Sequence, residues 1–70
     1  MLILINGDGR AKYALNVFHI SAVTFEGDTV RFDLLNKTAV TLHGKTSEDF
    51  DAYLKQIADL KTEAQRSHRW

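Results

Sequence analysis

No cysteine occurs in this 70-residue chain, so neither a disulfide framework nor a thiolate zinc site is open to it, and a reducing compartment is its natural setting. Proline is absent as well, and no internal repeat, linker or low-complexity segment appears. Neither sign of charge is in excess: nine Lys plus Arg balance nine Asp plus Glu, which excludes a broad positive field for non-specific attraction to nucleic acid or membranes. Long hydrophobic runs are missing too. Met1 to Ile5 is apolar but stops at Asn6-Gly7, too short for a membrane span and without the basic flank of a signal peptide. The expectation is a cytoplasmic protein of one compact domain, residues 1–66, with a short tail at 67–70. A core of this size leaves only about 3–5 kcal/mol of net stability. With disulfides and metal excluded, oligomerisation is the expected support.

What the sequence does contain is one change of period. Residues 1–43 alternate in twos, and residues 47–66 recur in threes and fours. Leu2 to Ile5 reads as a strand closed by Asn6-Gly7-Asp8-Gly9, whose Asn-Gly and Asp-Gly pairs suit hairpin turns. Lys12 to Leu15 returns as a second strand. Between Asn16 and Ile20 the alternation changes phase, because Val17 pairs with His19 while Phe18 pairs with Ile20. A bulge or tight turn is therefore expected there. Val23 and Phe25 lead to a turn at Gly27-Asp28, and Val30, Phe32 and Leu34 continue beyond it. Placing Phe25 opposite Val30 and Val23 opposite Phe32 keeps this apolar set on one face. After Leu34, a two-residue loop at Asn36-Lys37 throws Val40 and Leu42 to the polar side. An odd loop, Asn36-Lys37-Thr38 or one pair longer, sets Val40 opposite Leu34 and Leu42 opposite Phe32.

The helix is predicted to open at Thr46 or Ser47. Thr46 with Asp49 resembles a capping box, and Glu48, Asp49 and Asp51 complement the positive end of the helix dipole. Phe50, Tyr53, Leu54, Ile57, Ala58, Leu60 and Ala64 form one apolar stripe. Arg66, His68 and Arg69 place positive charge at its C-terminal end. The fold class is thus α+β: an antiparallel β-meander of four to five strands with one C-terminal amphipathic helix packed on one face. The stripe joins Val23, Phe25, Val30, Phe32, Leu34, Val40 and Leu42 in the core.

Catalytic chemistry finds little support. His19, His43 and His68 lie on different elements without a partner at metal-ligand spacing, and His43 reads as a solvent-facing residue at a strand end. Ser21, Ser47 and Ser67 have local explanations as strand, cap and tail residues, and no base stands beside them. A pair of carboxylates working as acid and base needs a partly desolvated cleft, for which one sheet and one helix leave little room. Asp51 and Lys55 are a solvated i,i+4 pair. Gly7-Asp8-Gly9 leads into a strand rather than a helix, so it is not a phosphate-binding loop. No catalytic residue, metal or cofactor is expected.

Binding remains. Arg10, Lys12, Arg31, Lys37 and Lys45 fall on strands or turns, and Arg31 shares an outward face with Asp33, Thr24 and Thr41. Nucleic-acid-binding sheets interleave such charges with exposed aromatics, for which Phe18, Tyr13 and Trp70 are the candidates, Phe25 and Phe32 being committed to the core. The stretches Tyr13-Ala14-Leu15, Ile20-Ser21-Ala22-Val23, Gly27-Asp28-Thr29-Val30, Val40-Thr41-Leu42 and Glu48 to Leu54 resemble a pattern in small uncharacterised bacterial and phage proteins, in which meandering strands precede a helix with an acidic start. The pattern covers most of the chain and implies a fold rather than an activity. Met1-Leu2-Ile3-Leu4, Gly9, Gly27, Val30-Arg31, Val40 and His43 resemble the carbon storage regulator family, dimeric RNA-binding translational regulators with five strands and a short helix. That family's arginines after the first strand are replaced here by Ile5-Asn6-Gly7, and the one after His43 by Gly44; the helix here is also longer.

The functional expectation is a non-enzymatic protein-interaction module that self-associates as a homodimer. Leu2, Ile3, Leu4 and Ile5 are apolar on both faces of a terminal strand, and Phe18 and Ile20 are out of phase with the core, so all six are assigned to a partner interface. A heterologous protein partner is the other use of that surface, and the plainer reading makes Leu2 to Ile5 an interior strand of the monomer with its outer side partly exposed. The alternative is an RNA-binding regulator acting through Arg10, Lys12, Arg31 and Lys45.

Overall fold

The computed structural model describes residues 1–67, side chains through Arg66; the assignments made to His68, Arg69 and Trp70 lie outside the described residues. Five antiparallel strands are followed by one helix, the α+β architecture that the change of period predicts. The strands divide into two sheets. β1 (Leu2–Asn6) pairs with β2 (Lys12–Asn16), and β3 (Ile20–Glu26), β4 (Thr29–Leu34) and β5 (Ala39–Leu42) form a second sheet in that order. The helix α1 (Ser47–Ser67) packs against β1, β3 and the turn between the sheets.

The division falls where the alternation changes phase. Val17–His19 is a 3-10 turn whose first free amide, that of Phe18, donates to the Asn16 side chain at 3.0 Å. A period of three replaces the period of two, so Val17 is fully buried and Ile20 packs on the core while Phe18 and His19 between them face solvent. A bulge completes the correction: Ile20 lies opposite Leu34 and Ala22 opposite Asp33, leaving Ser21 over, and its hydroxyl donates to the Asp33 carbonyl at 3.1 Å.

Beyond the bulge the expected pairing is found, with Val23 opposite Phe32 and Phe25 opposite Val30. Gly27 has φ +64° and Asp28 stays at negative φ, the type II′ pattern that matches strand twist. The next loop is odd, as the side-chain parity requires, but it is Leu35-Asn36-Lys37 rather than Asn36-Lys37-Thr38. Val40 therefore faces Phe32, and Leu42 faces Val30. Lys37 takes the left-handed conformation at φ 69°, and the Leu34 amide and carbonyl bond to Thr38 and Lys37. This is the type I turn plus left-handed residue of three-residue hairpins. Asn36 selects it by accepting from both the Thr38 amide at 3.1 Å and the Thr38 hydroxyl at 2.6 Å.

Thr46 caps the helix in a reciprocal box: the Asp49 amide donates to the Thr46 hydroxyl at 3.2 Å, and the Thr46 amide donates to the Asp49 carboxylate at 3.0 Å. Phe50 stacks on Phe25, and Tyr53 meets Phe32 edge-on with ring centroids 5.5 Å apart. Ile57 is buried with them, and Leu60 packs on the same cluster. Leu54 and Ala58, assigned to the stripe, face solvent instead. Each follows an inward residue by one position, about 100° round the helix, which carries it past the rim of the sheet.

The core joins both sheets. Val30, Phe32 and Leu42 come from the larger one, Ile3, Ile5 and Leu15 from the smaller, with Val17 between them. Ile3 and Ile5 are 0 % and 2 % exposed within the single chain, so they leave the set of residues available to a partner. The alternation of β1 explains this: its odd-numbered residues face the helix and its even-numbered ones face outward.

Candidate functional site

Two places on the molecule carry chemistry that packing alone does not use: the outer face of the β1–β2 hairpin and a polar pole where three connections meet.

On the hairpin, Leu2 lies opposite Asn16, Leu4 opposite Ala14 and Asn6 opposite Lys12. Cross-strand partners share a face, so these six side chains form the outer surface of the two-stranded sheet. Leu4 is 73 % exposed and Leu2 58 %. The Val17 amide donates to the Met1 carbonyl at 3.0 Å, so the ladder continues to the turn that presents Phe18, itself exposed. Leu2, Leu4 and Phe18 of the assigned interface are thus at the surface, Ile3 and Ile5 are inside, and Ile20 is half-buried on the core.

Beside this face runs an open groove of about 530 Å³, lined by β2 from Ala14 to Asn16, by His19, and by Leu34 to Asn36 at the β4–β5 connection. A smaller concavity of about 330 Å³ involves Leu4 and Ala14 on the hairpin itself. Ala14 lines both, so the groove, whose lining mixes leucines with Asn16, His19 and Asn36, adjoins the outer face. Leu35, 63 % exposed, is part of the groove. Sequence reasoning missed Leu35 because the loop was placed one residue further on; the adjacent Leu34-Leu35 pair, of which only one can follow the inward face, was the available signal.

The cations proposed for nucleic acid fall at two places. Arg10 and Lys12 are exposed at the β1–β2 turn. Lys45 lies on the loop that meets that turn at the polar pole, its charge felt by the carboxylates Asp8 and Asp49. Arg31 stands on the outer face of the larger sheet beside a shallow hollow lined by Thr24, Glu26, Gly27 and Thr29, and is paired with Asp33 at 3.1 Å.

At the pole, the β1–β2 turn, the β3–β4 turn and the β5–α1 loop converge. Asp8 accepts the His43 amide at 2.8 Å and faces the His43 Nδ1 at 2.6 Å. The hydrogen bond from the His43 ring, then that from its amide, holds the Asp8 carboxyl below the usual carboxylate range; the bond to Asp8 in turn raises His43, with the Asp8 and Asp28 charges adding to it. Asp28 accepts the Gly44 amide at 3.2 Å through its carboxylate and the Lys45 amide at 2.8 Å through its carbonyl. The Thr46 amide does the same for Asp49, holding it low. His43 is exposed, as expected of a residue at a strand end, yet it has a partner. That partner is 35 positions away in sequence, so no local spacing announces it.

Among the described residues no group of three or more His, Cys, Asp or Glu is placed to hold a metal ion, and no helix is long and apolar enough to cross a membrane. No family profile, curated protein or solved structure matches this chain. Any functional reading therefore rests on the surfaces just described.

Proposed function

We propose that this protein is a non-enzymatic interaction module of bacterial or phage type, acting in the cytoplasm, that self-associates as a homodimer through the outer face of the β1–β2 hairpin. The observation that carries the reading is the exposure of Leu4 and Leu2 on a sheet face that, among the described residues, no other element covers. Apolar residues aligned on the outside of a two-stranded sheet are costly to leave in water, at about 25 cal/mol per Å². A small domain with a thin margin gains from covering them.

A second copy is the occupant this face suits best. Its only charged member is Lys12 at one end, so a two-fold axis through Leu4 brings apolar side chains together and keeps the two lysines apart. The zero net charge of the chain leaves no long-range repulsion to overcome. The absence of cysteine fits a reducing compartment. An RNA-binding reading has less behind it, because Arg31 is engaged by Asp33 and Lys45 stands among the carboxylates Asp8 and Asp49.

The test is solution mass by light scattering across a dilution series, for the native chain and for Leu4→Glu. The native chain should run as a dimer that dissociates on dilution, and Leu4→Glu as a folded monomer with an unchanged circular dichroism spectrum. A native chain that is monomeric at every concentration overturns the reading.

A further inference from the structure

We propose that Asp8 and His43 form a proton-dependent latch that fastens the β1–β2 turn to the end of β5 and so holds the two sheets together at one pole. At this pole the hairpin is joined to the three-stranded sheet by the two hydrogen bonds from His43 to Asp8. The turn between the sheets is tied separately to the β4–β5 loop, the Leu35 amide donating to the His19 carbonyl at 2.8 Å, and the sheet faces themselves meet through apolar packing, which is non-directional.

The two halves of the latch are anchored differently. His43 begins a segment tied on its other side to the β3–β4 turn, since Asp28 receives both the Gly44 and the Lys45 amides. Asp8 sits in a five-residue turn closed by its own bonds, Gly7 amide to Ala11 carbonyl at 2.8 Å and Ala11 amide to Asp8 carbonyl at 3.1 Å. Release therefore frees the β1–β2 turn while the receiving segment stays in place.

Two carboxylates bear on His43: Asp8 approaches from the β1–β2 turn and Asp28 from the β3–β4 turn, and both favour the imidazolium. The ammonium of Lys45, on the same loop as His43, acts on Asp8 and on Asp49 of the first helical turn. When His43 loses its proton, the ring bond to Asp8 loses its charge assistance while the amide bond remains, so the latch loosens. When Asp8 gains a proton, both bonds weaken. The latch is closed between these two events. It lies within one chain and stands or falls independently of self-association.

The experiment is an NMR pH titration that follows the His43 ring and the exchange protection factors of the His43 and Ala11 amides, in the native chain, in Asp8→Asn and in His43→Gln. In the native chain His43 should titrate above the ordinary histidine range, and amide protection should fall several-fold as pH rises through that midpoint. In Asp8→Asn the His43 midpoint should return toward the ordinary range. In His43→Gln, which keeps the amide bond and removes the titrating ring, protection should be flat across the same interval. Both side chains are exposed, so the variants retain the fold and each remains informative. An identical His43 midpoint in Asp8→Asn, or a native protection profile as flat as that of His43→Gln, overturns the latch.

Discussion

The two sheets of this protein are built on the same alternation and finish their outer faces in opposite ways. In the three-stranded sheet, Val30, Phe32 and Leu42 go inward, while Thr24, Arg31 and Thr41 line up outside, with Arg31 opposite both threonines. In the two-stranded sheet, Ile3, Ile5 and Leu15 go inward, and the outside carries Leu2, Leu4 and Ala14 together with Asn6, Lys12 and Asn16. The outer face of one sheet is polar, and that of the other has an apolar middle set between polar ends. An antiparallel sheet with a solvated face reads as hydrophobic-in and polar-out, so the hairpin departs from the rule that its neighbour obeys. That departure is what the proposed self-association rests on.

The largest effects should show that the inner faces are equivalent. Phe32→Ala removes a fully buried ring that Tyr53 packs against, and Ile3→Ala removes a fully buried side chain from the other sheet. Such truncations cost about 3–5 and 2–5 kcal/mol, comparable to the whole stability of a domain this size. Circular dichroism with urea titration should find both variants unfolded or nearly so, in one cooperative transition. If Ile3→Ala instead left the three-stranded sheet folded and lost only the hairpin, the shared core would be two cores and the comparison would change its meaning.

The outer faces should then separate. Leu4→Glu and Thr41→Glu place the same charge at exposed positions on the two sheets. Monomer stability should move by no more than about 0.5 kcal/mol in either, the usual range for surface substitutions. Association should respond only to Leu4→Glu. Burial of a leucine is worth about 1.5–3 kcal/mol, so its replacement by a charge should weaken the dimer at least tenfold by sedimentation or light scattering. Equal behaviour of the two variants would remove the distinction between the faces.

A smaller effect tests the element that both sheets share. Thr46→Ala deletes the hydroxyl that receives the Asp49 amide, at a cost of about 1 kcal/mol, the usual value for an N-cap. Thermal unfolding should shift downward in a single transition, because α1 packs on β1 and on β3 alike.

How much of this was legible from residues follows the range of each interaction. The helix start was readable because Thr46 and Asp49 are three positions apart, and the β3–β4 pairing was readable because Gly27-Asp28 fixes a two-residue turn. The β4–β5 register was readable only in parity. Period two fixes which face Val40 and Leu42 occupy, but the choice between Leu35-to-Lys37 and Asn36-to-Thr38 depends on the left-handed Lys37 and on the bonds from Thr38 to Asn36. The break at Asn16 to Ile20 was visible as a phase conflict, yet its consequence, a second sheet, was not. For that reason all four of Leu2 to Ile5 are assigned to a partner interface, with an interior strand as the alternative: a strand apolar on both faces does not say which face the chain itself will cover. The Asp8–His43 contact was not legible at all, since it joins two turns that only the completed fold brings together.

The smallest expected effect lies in that contact and has a definite sign. Asp8 is held below its ordinary value by the His43 ring bond, so its contribution to stability is present above the unfolded carboxylate range and is lost as pH falls through its folded value. His43 is raised by the same bond, so its contribution is complete below the ordinary histidine value and is lost as pH rises through its folded value. The two overlap between about pH 4 and pH 6.5, the ordinary positions of the two groups. The difference in urea midpoint between the native chain and Asp8→Asn should therefore peak in that window and shrink on both sides. Solvent screening of an exposed pair keeps the peak small, and added salt should flatten it. A difference that grew steadily toward alkaline pH would mean that Asp8 acts through backbone amides rather than through the His43 ring.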